Sequence, residues 1–559
     1  MDEVRRELIA IQRRLVKRAR AQLSVAALRE RAEMGRYREA LRRATGRFDR
    51  VSSRGELLEA AAASRVIFVA DFHTLRQAQR LPLRLLEQLA AGSGGPAGGP
   101  SPAIALGVEM VLSRHQRALD RYLRGELAEP EFLDAVHWER TWGFSWTSYG
   151  PLLDHARRAS LPVLALNSRA AGPLRLERRD RHAGELLARF VQRHPQTRVV
   201  VLFGELHVAE GLPRRFQLAC RARGVEAPYT VVFQNVASVY DRLARDGLEQ
   251  FAEVLRFGGG RDPWLRGRFC VLNATPLARI QSQLYWEENR LSEDRDGWSV
   301  DLSGYLGDQV VELVGTLCEF LDLPLPDLNR LTVMAGAALS HTRFWLARQG
   351  RTILRREIDT RVLQPGPPAP AEPDVVALSA GSIDHAAEKA AHFVHVRTSG
   401  SSPATARAPR ERLYYQAVRQ ALGYFGSKVF NHLRTTWLEP DWVVLAGPGK
   451  DARTRSVARW VVRQLDEERT VLDGGAPPQP SAAEQMPEER IALVGRALGY
   501  MLGERLYSAV IQEFVAKEEV RELFRAPLAR PGYAETLYTG LRRRLRHVRD
   551  FYRSREERL

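Results

Sequence analysis

Arg65-Val66-Ile67-Phe68-Val69-Ala70-Asp71-Phe72-His73 is the stretch on which the reading of this chain turns. An unbroken apolar run ends in an acid-x-His unit. Four further runs share its character, at 103–108, 162–166, 198–203 and 230–233. Near-continuous hydrophobicity of this kind suits strands buried on both faces of a parallel sheet. Intervals of roughly 30 to 60 residues between them leave room for crossover helices.

The residues at the end of each run are the second signal. The first run leads into Asp71 and His73, the second into Glu109 and the third into Asn167. The fourth leads into Gly204-Glu205-Leu206-His207 and the fifth into Gln234-Asn235. In an open parallel sheet, ligands bind beyond the carboxyl ends of the strands. One polar residue at a strand end ordinarily caps the next helix. Two acid-x-His units and a third acid at the same edge predict a functional site. His73 and His207 with a carboxylate from Asp71, Glu109 or Glu205 could hold a divalent metal ion that keeps a position open for water. The same set could activate water without metal, or an imidazole could ligate haem iron. The residue types alone leave these three open. Between the second and third runs, Trp138, Trp142, Trp146 and Tyr149 are dense enough to form either a packed sub-core or an aromatic pocket wall.

Composition narrows the class. The 559 residues are 44% hydrophobic and 27% charged, which excludes a disordered or collagen-like chain. No apolar run reaches the length of about 18 residues that a spanning helix needs. The opening residues lack the apolar core and cleavage site of a secretion signal. Cys220, Cys270 and Cys318 lie far apart and form no ligand-spaced motif. A cytoplasmic protein is the expectation. The net charge of +17 invites a nucleic-acid reading. Of the 84 basic residues, however, only Lys17, Lys389, Lys428, Lys450 and Lys517 are lysine, and the arginines are interleaved with glutamate. Nucleic acid is therefore not the expected partner.

Residues 1–60 read as an N-terminal helical segment, with Leu8, Ile11, Leu15, Leu23 and Leu28 near helical spacing. Residues 61–300 form the α/β domain and 301–363 a helical extension. A proline-rich linker covers 364–375, and 376–559 is an α-helical C-terminal region. Loop-like breaks fall at 91–102, 398–409 and 474–487. Arg419-Gln420-Ala421-Leu422-Gly423 echoes Arg496-Ala497-Leu498-Gly499-Tyr500, with a fainter echo at Ser303-Gly304-Tyr305-Leu306-Gly307. Glycine lets backbones approach closely, so packing is the expected role. His385, Glu388, His392 and His395 share one helix face, which a metal or haem could use but hydrogen bonding more commonly explains. Trp442-Val443-Val444-Leu445 reads as a strand before Gly447-Pro448-Gly449-Lys450, which fails the phosphate-loop pattern. The 541–549 tail reads as a basic helix with a solvated face.

The stretch from about 62 to 275 resembles the ChaN-like domain of the haem-binding-uptake/Tiki superfamily, which is also related to erythromycin-esterase-like enzymes. VIFVADFH, ending at His73, is similar to the family's first strand and Gly-Glu-x-His turn. ALGVEM, with Gln116 after it, is similar to the second strand and its glutamate. The block from Trp138 to Asn167 resembles the family's most recognisable segment, and FGELHVAEGLP its second Gly-x-x-His turn. The resemblance implies a parallel α/β core with its site at the strand ends. ChaN proteins are associated with haem binding and iron uptake. Tiki relatives are metal-dependent proteases, and the esterase relatives hydrolyse a lactone with a His and Glu set. Carried over by position, His73, Glu109 and His207 are the expected catalytic residues. Two departures stand out. Ala70 and Asp71 replace the family's Gly and Glu, which shortens the reach of that acid by one methylene. The lipoprotein signal of the uptake proteins is missing.

The expected architecture is therefore a parallel sheet flanked by helices, with an N-terminal helix and an additional α-helical C-terminal region. The expected function is haem or metal-ion binding at the carboxyl edge of the sheet. The alternatives are a hydrolase of esters, lactones or amides, with His73 as base or ligand and Glu109 orienting it, or a non-catalytic scaffold. Asp71, Trp142, Trp146, Tyr149, Asn167 and Asn235 are the expected ligand-binding residues. Expected partners are a small molecule (haem, an ester or a peptide) and a second copy of the chain in a homodimer.

Overall fold

The computed structural model describes residues 2–23, 32–91, 103–169, 174–258, 262–293, 303–335, 362–363, 374–378, 382–400, 408–448, 451–476, 478–548 and 550. They form two compact units, Gln22–Arg279 and Met1–Ala21 with Ile280–Arg558. No helix among the described residues is long and apolar enough to cross a membrane.

The first unit is α/β. Its strands are β1 (Arg50–Ser52), β2 (Val66–Asp71), β3 (Ile104–Leu112), β4 (Val163–Asn167), β5 (Arg198–Gly204), β6 (Tyr229–Gln234), β7 (Val254–Phe257) and β8 (Leu265–Val271). They lie in the order β1-β7-β8-β6-β2-β5-β3-β4. The five runs read from the sequence are β2 to β6, and all their pairings are parallel. Every residue of β2, β3 and β6 is buried, as expected where helices cover both faces. Three strands were not expected from the sequence. β8 extends the parallel sheet from β6, and β7 and β1 close that edge in antiparallel pairs. Arginines hide β7 and β8 from a hydrophobicity reading. Arg256 lies over the Phe269 ring at 5.7 Å, and Arg268 donates to Gly258 O. β1 also corrects the all-helical expectation for residues 1–60, which otherwise hold helices Asp2–Gln22, Ala32–Thr45 and Arg54–Ala62.

This strand order decides where the site lies. β2, β5 and β3 are immediate neighbours in the parallel part of the sheet, so their carboxyl ends meet. The β3/β4 register shifts between Val108 and Leu112. Glu109 falls in that irregularity, where a bulge can re-aim a side chain.

The second unit is mostly helical. Helix Asp2–Gln22 belongs to it, tied by Arg14 to Glu319 at 2.7 Å and by Lys517 to Glu7 at 2.8 Å. Helices Pro409–Phe430 and Glu488–Ile511 are its centre. The glycines of the second copy of the repeat lie where they cross, whereas Gly423 of the first copy faces His392 on helix Ile383–Ser399. A Cβ at Gly503 would lie 2.6 Å from Ala421 O, and one at Gly499 would press on Ala417 O. The echo at Gly304 and Gly307 meets no such backbone. Buried ion pairs sit in the same bundle, Lys428 with Glu504 at 3.0 Å and Arg434 with Glu388 at 2.7 Å.

Two helical-region expectations are corrected. Trp442-Val443-Val444-Leu445 lies in helix Glu439–Ala446, not in a strand. Pro440 suits a first helical turn, and Asp441 Oδ2 accepts Leu438 N at 2.8 Å, so the start is set by capping. Leu331–Ala335, expected to be helical, pairs in parallel with Asp374–Leu378 in a three-stranded sheet. Pro324 and Pro326 separate it from helix Ser303–Leu321, and Val333 and Val376 are buried partners across the pair. The break at 91–102 and the proline-rich linker at 364–375 lie outside the described residues except for Ala91, Asp374 and Val375, and the last two correct the linker's end, since they belong to strand Asp374–Leu378.

Candidate functional site

The cluster is built on Glu109, which is almost fully buried. Its Oε2 accepts Gly204 N at 2.6 Å, and its Oε1 accepts from Arg179 Nη2. Arg179 also donates through Nε to Asn167 Oδ1 at 3.0 Å. Burial alone would raise the Glu109 pKa. Arg179, His73, His207 and the Gly204 N–H outweigh it and hold the carboxyl below its ordinary value.

Two imidazoles approach this carboxylate, each oriented by another acid. His73 Nδ1 bonds Asp71 Oδ2 at 2.8 Å. Asp71 is itself held by Tyr149 OH at 2.8 Å and by Gln79 Nε2 at 2.6 Å. His207 Nδ1 bonds Asp180 Oδ1 at 2.6 Å, and Tyr37 OH donates to Asp180 Oδ2 at 2.5 Å. His207 Nε2 lies 4.0 Å from Glu109 Oε1. At Gly204 a Cβ would sit 3.4 Å from His73 Nε2 and 3.2 Å from Glu109 Oε2, so only glycine leaves that approach uncrowded. Burial pulls the His73 pKa down. The Asp71 and Glu109 carboxylates more than reverse this, and it stands above its ordinary value. Carboxylate partners of this kind fix which imidazole nitrogen carries the proton.

The aromatic block divides. Trp142 and Phe144 lie against His73, with ring centroids at 4.6 and 4.9 Å. Tyr149 holds Asp71. Trp138 and Trp146 pack on each other at 5.0 Å, and Trp146 reaches Tyr122 and Phe132 in a sub-core. Glu205 and Asn235 point elsewhere. Glu205 pairs with Arg279 at 2.5 Å, whose guanidinium covers the Phe72 ring. Asn235 Oδ1 accepts Asn273 N and Ala274 N, both at 2.8 Å, tying the ends of β6 and β8 together.

Asp180, Arg179, Tyr37 and Gln79 escaped the sequence reading because they lie on helices. Asp180 left one legible trace. It falls with Leu176, Ala183 and Leu187 on the buried stripe of helix Arg175–Arg193. Glu33, on the helix that carries Tyr37, accepts the N–H groups of Leu176 and Glu177 at 3.0 and 3.1 Å. That capping fixes the start of the helix, and so the height of Arg179 and Asp180.

Arg179 neutralises Glu109, and Asp71 and Asp180 engage the two Nδ1 atoms, which leaves the Nε2 atoms as the imidazole donors. Among the described residues no three His, Cys, Asp or Glu side chains are grouped to hold a metal. At the second candidate face, three of the four side chains make hydrogen bonds within the helical unit. Glu388 bonds Arg434 and Tyr500, His392 bonds Arg419 O, His395 bonds Phe524 O, and His385 is exposed.

The first unit is thus an α/β domain, a mostly parallel sheet with a His–acid cluster at the carboxyl ends of neighbouring strands. Residues 57–172 match the family described as haem-binding uptake, Tiki superfamily, ChaN. That segment carries Asp71, His73 and Glu109, and His207 lies beyond it. A solved structure, cofacial heme binding to ChaN of Campylobacter jejuni, aligns at 15% identity over 33% of this chain and 87% of that one, with a TM-score of 0.27. No curated protein matches the chain.

Proposed function

We propose that the ChaN-like domain hydrolyses a small ester, lactone or amide by imidazole base catalysis. One observation carries this reading: His73 Nδ1 is bonded to buried Asp71, so Nε2 is the nitrogen left to take a proton, beside Gly204 and Glu109. Asp71 stabilises the imidazolium that forms when Nε2 deprotonates water. The orienting role expected of Glu109 thus falls to Asp71. Glu109 instead organises Arg179, the Gly204 backbone and the field on both imidazoles. The His73 imidazolium then returns this proton to the departing alcohol or amine, and His207, held by Asp180, hydrogen-bonds the leaving group.

Haem is the second reading, favoured by the family match and by the aromatic pair at His73. The imidazole donor would suit it: His73 would hold the iron, with Trp142 and Phe144 beside that imidazole. One experiment separates the two. Purified chain and His73→Ala are assayed on a panel of p-nitrophenyl esters, lactones and anilides, and titrated with haemin in parallel. The hydrolase reading expects turnover that falls by about 100-fold or more in the variant. A stoichiometric Soret band lost in His73→Ala, without turnover, replaces it with the haem reading. Turnover unchanged in His73→Ala overturns the assignment.

A further inference from the structure

The sheet ends at β4, and among the described residues no further strand closes its outer edge. On the inner side Leu106 N donates to Pro162 O at 2.9 Å. Alternation along a strand then turns the backbone groups of Val163 and Ala165 outward. There they meet the side chain of Gln116. Its Nε2 donates to Val163 O at 2.7 Å, and its Oε1 accepts Ala165 N at 2.7 Å. A primary amide presents the same C=O and N–H as a peptide unit. Gln116 therefore makes the two bonds that a neighbouring strand would make at this point.

The edge opens into a groove of about 1140 Å³. Helices Gln116–Leu123 and Arg175–Arg193 supply its walls, and β4 lines it. Leu123, Leu164, Leu186 and Phe190 give it apolar surface. Its charged lining is unbalanced: Arg124, Arg157, Arg189 and Arg193 face it, against Asp120 as the acid among the described residues. All four arginines are exposed.

We infer that this groove is a docking site for an extended, acidic segment of a partner protein, added to the sheet as a further strand beside β4. The open edge supplies main-chain pairing, the leucines take alternate side chains, and the arginines select acidic ones. A nucleic acid matches the charge but has no alternating N–H and C=O to pair with β4. Gln116 holds the edge until the strand arrives, which protects it from indiscriminate pairing.

The probe is a fluorescent ten-residue peptide of alternating Val and Glu, read by anisotropy against the full chain. Its Val/Lys counterpart and an oligo(dT) of similar length are run beside it. The Val/Glu peptide is expected to bind in preference to both and to slow amide exchange over residues 161–167. Arg189→Glu/Arg193→Glu, on an exposed helix face, is expected to weaken it about tenfold. Gln116→Ala, which removes the competitor, is expected to strengthen it. Equal binding of the two peptides, indifference to the arginine variant, or binding without exchange protection overturns the inference. So does oligo(dT) binding in preference to the peptide. Self-association of the wild type that the arginine variant abolishes, without peptide binding, assigns the edge to a second copy instead.

Discussion

Glu109→Gln tests the organisation of the site without knowledge of any substrate. Glutamine still accepts the Gly204 N–H but carries no charge. Arg179 then loses its carboxylate partner and keeps the Asn167 amide, in a site where Glu109 is 3% and Arg179 21% exposed. Removing one partner of a buried ion pair costs about 3–5 kcal/mol. The partial exposure of Arg179 sets the expectation at the low end, about 3 kcal/mol. Weakening the charge-assisted bond from Gly204 adds about 1 kcal/mol. The assay is urea unfolding of the full chain, following the transition of the α/β unit separately from that of the helical unit. Glu109→Leu/Arg179→Met is the control. With both charges gone it should be far more stable than the two single losses predict. The pH dependence supplies a second reading. The Glu109 pKa is depressed in the folded protein. Its contribution is present above the ordinary carboxylate range and lost as pH falls through the folded value. Glu109→Gln should therefore flatten the acid limb of stability. A loss below about 1 kcal/mol with an unchanged acid limb would refute the reasoning, because an exposed pair behaves that way.

Two further outcomes rest on the same kind of contact. Asp71→Asn should lower the His73 pKa, read from the pH titration of its imidazole C–H resonance. Because the folded His73 pKa is raised, its charge stabilises fully below about pH 6.5 and that stabilisation is lost as pH rises through the folded value. A resonance that titrates unchanged would mean Asp71 does not hold that ring. In the helical unit, Lys428→Met alone should cost about 3 kcal/mol, because it leaves the Glu504 carboxylate, 1% exposed, with the neutral Tyr424 hydroxyl and no cation among the described residues against its charge. Lys428→Met/Glu504→Leu should recover most of that loss in thermal melts. Equal losses in the single and the double variant would argue against the pair.

Much of the sheet was legible because a strand buried on both faces leaves nothing polar to interrupt it. Val66 to Ala70 and Val199 to Phe203 could hardly be anything else. β7 and β8 were not legible, since Arg256 and Arg268 snorkel or stack while their backbones pair. His73, Glu109 and His207 stood out because parallel strands deliver their ends to one edge. Their orienting partners did not. Asp71 was visible as a neighbour in sequence, but Asp180 reaches His207 only because β4 returns through helix Arg175–Arg193 to β5. Tyr37 comes from a helix well before the first central strand, and nothing in its local sequence marks it. Glu205 and Asn235 show the converse. Position after a strand brought them to the edge, but β6 and β8 and the helix carrying Arg279 claimed their side chains.

The allocation of the first helix to the helical unit has a consequence for how the chain is made. Leu8, Ile11 and Leu15 are buried in the finished protein, yet Glu319 and Lys517 are synthesised long after them. At ordinary elongation rates, the span from residue 22 to Lys517 takes on the order of 25–100 s. The α/β unit, whose residues are contiguous from Gln22 to Arg279, can close in that interval. The opening helix cannot. It waits on the ribosome with its apolar stripe unburied, a client for any chaperone that binds such stripes. Premature termination would then release a finished sheet and an orphaned helix rather than two half-built units.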